Sequence, residues 1–271
     1  MKKFFLLNFL FLVIFLSGQA KSDNNYEIIY ELNYKPSTKD TLKKREDFLL
    51  LRNKTKSFFL SYLSYKADSL FVSETEKGSQ ALNIFAKAQS TLKHSKFNYM
   101  IEKDFSNQKL VIQDKIFSDK YQYEETFAIF NWKPSEETKR IGDLNCKKAT
   151  THFAGRDYVA WYCEEIQLQD GPYKFSGLPG LIIKIYDTKE EYVFTLKSIK
   201  KVDELNLPIY SGGKKIIETT KEKFILAKKS YEENKIGSLK ARGIVFQDEE
   251  NLRNRMKERR ERNNNEIEIE E

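Results

Sequence analysis

With 271 residues, two cysteines, two histidines and 32% charged residues, the chain has room for one large domain or two small ones. No period of 20–50 residues recurs, which excludes a solenoid or a propeller. The formal net charge of +7 is spread over the whole length and suits contact with anionic head groups, glycans or an acidic partner.

Lys2 and Lys3 precede an apolar stretch from Phe4 to Leu16 broken only by Asn8, and Ser17-Gly18-Gln19-Ala20 puts small residues where a signal peptidase cleaves. Residues 1–20 are therefore expected to be a secretory signal peptide. The run is shorter than the roughly 20 apolar residues a membrane helix needs, and no later run is long enough to span a bilayer. No cysteine follows it to carry a lipid anchor. The expected location is the periplasm or the extracellular space. Removing Lys2 and Lys3 lowers the charge from +7 to +5, and the compartment argues against nucleic acid as a partner.

Residues 21–271 read as a single β-rich domain, since the polar stretches 35–46 and 200–215 look like loops rather than linkers. Aromatic and β-branched residues predict strands over 26–34, 56–65, 97–103, 110–117 and 127–132, separated by polar turns such as Ser106-Asn107. Helical spacing occurs at Ala81, Phe85, Ala88 and Leu92, around Phe224, Ala227 and Tyr231, and in the polar segment 248–262. At 252–271 six basic residues face six acidic ones across a self-compensated helix, and Glu266-Ile267-Glu268-Ile269 then alternates like a short strand. The expected fold is α+β with β dominating: a curved antiparallel sheet with a few peripheral helices, a pattern that a lipid-carrier-like half barrel would satisfy.

The densest signal is Gly177-Leu178-Pro179-Gly180-Leu181-Ile182-Ile183, approached by Asp170-Gly171-Pro172 and leading into Lys184-Ile185-Tyr186-Asp187. Two glycines around a proline predict a tight, shaped loop, and the β-branched run after it a buried strand. Together with Cys146-Lys147-Lys148-Ala149-Thr150-Thr151, Phe153-Ala154-Gly155-Arg156-Asp157-Tyr158 and Ala160-Trp161-Tyr162, this stretch resembles the core block of the GLPGLI family, at about residues 130–200. The resemblance implies an exported protein of Gram-negative bacteria without an assigned molecular activity. It brings no catalytic residues.

If Ala154-Gly155 are the two loop residues of a hairpin, Phe153 faces Arg156, and counting outward sets Cys146 opposite Cys163. In an oxidising compartment a Cys146–Cys163 disulfide is then expected. The alternative for Cys146 is a small buried apolar residue. Two cysteines and two scattered histidines do not make a zinc site. His94, at a polar helix end, and His152, on the strand entering the hairpin, read as structural.

No nucleophile elbow, phosphate loop or metal-binding helix motif is present, and the sequence calls for no cofactor. Arg156, Tyr158, Trp161 and Tyr162 combine rigid aromatic area with a forked cation, the composition of a recognition patch or of a buried aromatic hairpin. In the hairpin register Arg156, Tyr158 and Tyr162 share one strand face and Trp161 takes the other. Gly177, Pro179 and Gly180 form either a binding loop or, as we favour, a structural corner. Two functional classes follow. One is a non-catalytic envelope protein that binds a peptide, a lipid or a partner protein. The other is a secreted hydrolase using carboxylates from among Glu164, Glu165, Asp170 and Asp187.

Overall fold

The computed structural model describes residues 24–39, 41–78, 80–92, 95–127, 130–207 and 215–269. The expected signal peptide, His94, Pro208 and Gly212-Gly213 lie outside the described residues. Among the described residues, no helix is long and apolar enough to cross a membrane.

The chain first runs through β1 (Asn25–Tyr34), β2 (Lys44–Arg52) and β3 (Lys56–Ser61), then α1 (Tyr62–Glu76) and α2 (Ala81–Leu92). It returns through β4 (Met100–Asp104), β5 (Lys109–Ile116) and β6 (Asp119–Thr126). A second run comprises β7 (Lys133–Ile141), β8 (Leu144–Phe153), β9 (Arg156–Cys163), β10 (Leu181–Asp187) and β11 (Tyr192–Val202). The short β12 (Ile217–Glu218) and helices α3 (Lys221–Glu233), α4 (Lys235–Ala241) and α5 (Glu249–Glu261) follow. The twelve strands form one open curved sheet, ordered β12-β6-β5-β4-β3-β2-β1-β11-β10-β9-β8-β7. The fold is thus α+β with β dominating. Every recorded strand pair is antiparallel except β12 beside β6, which makes the sheet mixed.

Two meanders meet where β11 lies against β1, in a ladder running from Asn25↔Val202 to Tyr34↔Tyr192. Period-two alternation in β1 explains why it sits there: Ile28, Tyr30, Leu32 and Tyr34 all turn to the larger core on the inner face. β2 and β3 bury both faces, because Leu49, Leu51, Phe58 and Leu60 form a second cluster with Ile29 on the outer face, against Tyr62 and Tyr65 of α1. A strand covered twice shows no alternation, so β2, which begins in the polar stretch 35–46 and runs on to Arg52, is missing from the expected strands.

Three expected strands are corrected. The segment 56–65 ends as a strand at Ser61, whose hydroxyl accepts from Ser64 N and caps α1. The described part of 127–132 is not a strand; Phe130 instead packs its ring 5.0 Å from Phe153 and 5.2 Å from Phe175. The segment 266–269 pairs with no strand. Strands β6, β7 and β11 are not among those expected; of these, β7 is exposed along almost its whole length. An edge strand carrying Pro134 and five charges has no apolar stripe to reveal it.

The hairpin register is as expected: Phe153 faces Arg156 and the ladder continues to Lys147↔Tyr162. Ala154 and Gly155 take φ of 47° and 74°, the pair of positive angles a two-residue hairpin turn needs. The disulfide is not formed, however; Cys146 and Cys163 are both buried free thiols. The β8–β9 ladder stops one step short of them, and each pairs elsewhere, Cys146 with Lys139 on β7 and Cys163 with Leu181 on β10. Facing position in register does not by itself bring the sulfurs together. Burial pushes the Cys146 thiol up to about 11. A thiol reagent is therefore expected to leave the native protein unmodified and to add two labels per chain after denaturation without reductant, as read by mass spectrometry.

Candidate functional site

The inner face of the sheet is crossed by a segment without regular structure, residues 263–269, that follows α5, bends at Ile267-Glu268 and belongs to no ladder. We call it the strap. Asn265 and Ile267 turn inward and are 2% and 8% exposed. Arg156, the first residue of β9, organises its seat. Its Nη1 donates to Asp187 Oδ2 at 3.1 Å and Glu191 Oε2 at 2.8 Å. Its Nη2 donates to Asn265 Oδ1 at 2.6 Å and to the carbonyl of Glu266 at 2.7 Å. Asp187 is itself fixed, since its Oδ1 accepts from Tyr192 N at 2.7 Å. The two terminal nitrogens of the forked cation are spent, on two carboxylates behind and the strap in front, while its buried Nε has no hydrogen-bond partner. Burial opposes its charge, but the bond to Glu191 and the surrounding anions raise its pKa overall.

Two tyrosines extend the seat. Tyr192 Oη donates to the Asn265 carbonyl at 2.7 Å and Tyr158 Oη to the Ile267 carbonyl at 3.2 Å. Main-chain bonds close the ends, from Asn265 N to the Pro36 carbonyl at 3.2 Å and from Ile269 N to the Ala154 carbonyl at 3.0 Å.

Beyond Ile267 the Glu268 carboxylate enters a cationic pocket. Tyr173 Oη donates to it at 2.5 Å and Lys221 Nζ at 2.9 Å, and Lys174 pairs with the same group. Glu125 on β6 shares both lysines, at 2.8 Å from Lys174 and 3.3 Å from Lys221. Burial alone would raise the Glu268 carboxyl; the two lysines and the bonds from Lys174 and Tyr173 outweigh it and hold the group at about 2, against an ordinary 4.5. The folded state therefore binds fewer protons than the unfolded chain in that window. Its contribution, on the order of 3 kcal/mol, is present above pH 4.5 and is lost as pH falls toward 2. Urea titrations at stepped pH should show this loss, and Glu268→Gln should flatten it.

The sequence-expected residues divide. Arg156 and Tyr158 lie in the seat. Tyr162 shares their strand face but is buried farther along β9, 3% exposed. Trp161 points to the opposite face, where Lys139 and Lys148 sit 5.8 and 5.9 Å from its ring. The 177–180 loop adjoins the far end of β9, where Leu181 pairs with Cys163, roughly 20 Å along the strand from Arg156. Its amides point inward, Gly177 N to the Gln169 carbonyl and Gly180 N to the Leu178 carbonyl, and Leu178 is 2% exposed. That is the bonding of a corner.

The carboxylates considered for hydrolysis have separate partners. Asp170 pairs with Lys103, Asp187 with Arg156, Glu164 with Lys147, and Glu165 accepts from Asn145. His152 is exposed and bonds Asp157 at 2.8 Å. A separate cavity of about 60 Å³ beneath α1 is lined by Ser64, Tyr65, Asp68 and Lys120 among others. Burial, against the pull of Lys115 and Lys120, pushes the Asp68 carboxyl there up to about 6. That volume suits one or two waters and falls well short of the roughly 300 Å³ where small-molecule pockets begin.

Sequence reasoning missed Tyr173, Lys174, Tyr192, Lys221 and Asn265. Nothing local marks them, because Lys174 and Glu268 are 94 positions apart and meet only through the fold.

Residues 154–184 match a family model described as a protein of unknown function, Porph_ging. That match spans Arg156, Tyr158, Tyr173, Lys174 and the 177–180 loop. Among curated proteins none matches. Two solved structures of PNGF-II, in space groups P21 and C2, are similar in fold. They align with TM-scores of 0.52 and 0.53 at 17% and 18% identity, covering 74% and 76% of this chain. Each alignment takes in 32% of the PNGF-II chain, so the likeness is to about a third of that protein.

Proposed function

We propose that this chain is an exported, non-catalytic binding module of the cell envelope, related to the GLPGLI proteins, and that its partner is a peptide or protein held on the inner face of the sheet. The observation that carries this reading is the strap. The inner face already holds a segment of this chain by side-chain donors to main-chain carbonyls and by one carboxylate pocket, so backbone and an acidic side chain are both gripped there. Export is supported by Lys2, Lys3 and the apolar run after them. The four carboxylates considered for hydrolysis, Glu164, Glu165, Asp170 and Asp187, are each tied to a separate partner, which supports binding over hydrolysis at that block.

Native mass spectrometry of protein purified from its host's envelope, before and after denaturation, tests this. A reproducible co-purifying peptide or protein is the expected result. A clean mass together with hydrolytic turnover would overturn it.

A further inference from the structure

Three consecutive carbonyls of the strap, those of Asn265, Glu266 and Ile267, are each taken by a groove side chain: Tyr192, Arg156 and Tyr158. Such a grip reads backbone and tolerates any extended sequence; selectivity falls to the side-chain positions. One is Asn265, whose Oδ1 accepts from Arg156 and whose Nδ2 donates to the Lys35 carbonyl at 2.9 Å. Another is the inward Ile267. The third is Glu268, in the pocket of Tyr173, Lys174 and Lys221.

The strap leaves one part of this surface unused. Lys96 Nζ is buried without a hydrogen-bond partner, 5.4 Å from the centre of the Tyr34 ring. Glu266 is the anion that acts on it most strongly, yet no ion pair between the two is recorded, and Glu266 itself is exposed. A buried ammonium that faces aromatic rings but has no hydrogen-bonded anion is costly and marks a place where a better-placed anion would be favoured. The strap is therefore an incomplete ligand for the surface it covers.

We propose that the strap is a self-ligand, and that the groove's partner is an extended peptide of acidic–aliphatic–acidic pattern that takes its place. The partner's main chain meets Tyr192, Arg156 and Tyr158, its aliphatic residue takes the position of Ile267, and its second carboxylate enters the Lys174–Lys221 pocket. Its first carboxylate reaches toward Lys96. This rests on the reading of the inner face as a binding surface and names its ligand.

The test uses the full chain carrying Ile267→Ser with Glu268→Lys, which loosens the strap, and a fluorescein-labelled peptide of sequence Asn-Asn-Asn-Glu-Ile-Glu-Ile-Glu-Glu, that of residues 263–271. Fluorescence anisotropy should show saturable one-to-one binding to the loosened variant, at least tenfold tighter than to the unaltered chain. A control peptide with Lys at the two positions equivalent to Glu266 and Glu268 should bind at least tenfold more weakly. Rising salt should weaken binding further. Equal binding of the two peptides, or none by a folded loosened variant, overturns the proposal.

If the loosened variant does not fold, hydrogen exchange of the unaltered chain decides. The hydrogen-bonded amides of Asn265 and Ile269 exchanging faster than those of β1, without global unfolding, support a displaceable strap. Exchange only together with β1 makes the strap a permanent part of the core and overturns the proposal. A negative peptide result beside a co-purifying ligand of other chemistry overturns the acidic-peptide assignment and leaves the binding reading standing.

Discussion

Replacing Lys103 by Met is expected to cost about 3–5 kcal/mol of folding stability, the range seen when one partner of a buried ion pair is removed. Lys103 and Asp170 are both 0% exposed. Lys103 Nζ donates to Asp170 Oδ1 at 2.6 Å, to the Gly171 carbonyl at 2.6 Å and to the Phe175 carbonyl at 3.1 Å. One ammonium on β4 thus ties down the loop that delivers Tyr173 and Lys174 to the strap. Burial lowers its pKa even against the pull of Asp170, a sign of how much its desolvation opposes charge there.

Met keeps the length of the stem, so the loss measured is that of the charge and its bonds rather than of packing. The nearest remaining cation, Arg52, has its Nε 3.6 Å from Asp170 Oδ2, too far to hydrogen-bond and replace it. Guanidinium titration should show the loss in midpoint. The double variant with Asp170→Leu should recover part of it, because an uncompensated buried carboxylate is the larger part of the penalty. A single variant as stable as the parent would mean that the pair contributes nothing.

Gly180→Ala is the second large effect. A Cβ built on Gly180 would lie 2.2 Å from the Cys163 carbonyl oxygen, 2.6 Å from its carbon and 2.9 Å from Glu164 N. All three are main-chain atoms at the point where Leu181 pairs with Cys163, so relief requires moving β10 away from β9. Overpacking costs about 1–3 kcal/mol and a forced backbone a similar amount. A total of roughly 4 kcal/mol would lower the melting temperature by on the order of 10 °C for a chain of this size.

Gly177 supplies the contrast. Its φ is 90°, but the nearest atom to a Cβ there is Trp132 Nε1 at 4.0 Å. Gly177→Ala should cost only the roughly 1–2 kcal/mol of the left-handed backbone. Thermal melts of the two variants side by side separate close approach from backbone angle. Equal losses would show that the Cys163 contact is not what requires glycine at 180.

Legibility from sequence followed the physics of each element. β1, β5, β10 and the β8–β9 hairpin were readable because one-sided burial or a turn residue leaves a local mark. α2, α3 and α5 were readable from helical spacing. β2, buried on both faces, and β7, buried on neither, carry no alternation to detect. Phe130 and Trp132 looked like strand residues because aromatic content is shared by strands and by core-filling loops. At the site, Arg156 and Tyr158 stood out by composition, and Trp161 and Tyr162 stood out equally although they pack elsewhere.

The sequence by itself determined the β-dominated class, the hairpin register through Phe153 and Arg156, and the sharp corner at 177–180, since each depends on residues within one or two turns of one another. Only the tertiary structure decided that two free thiols stand where a bridge was expected, that Asn265, Ile267 and Glu268 lie across the inner face, and that Lys174 and Lys221 converge on one carboxylate. Those outcomes depend on where segments up to 230 positions apart in the chain come to rest. That placement is set by packing over the whole sheet, and no short stretch of sequence encodes it.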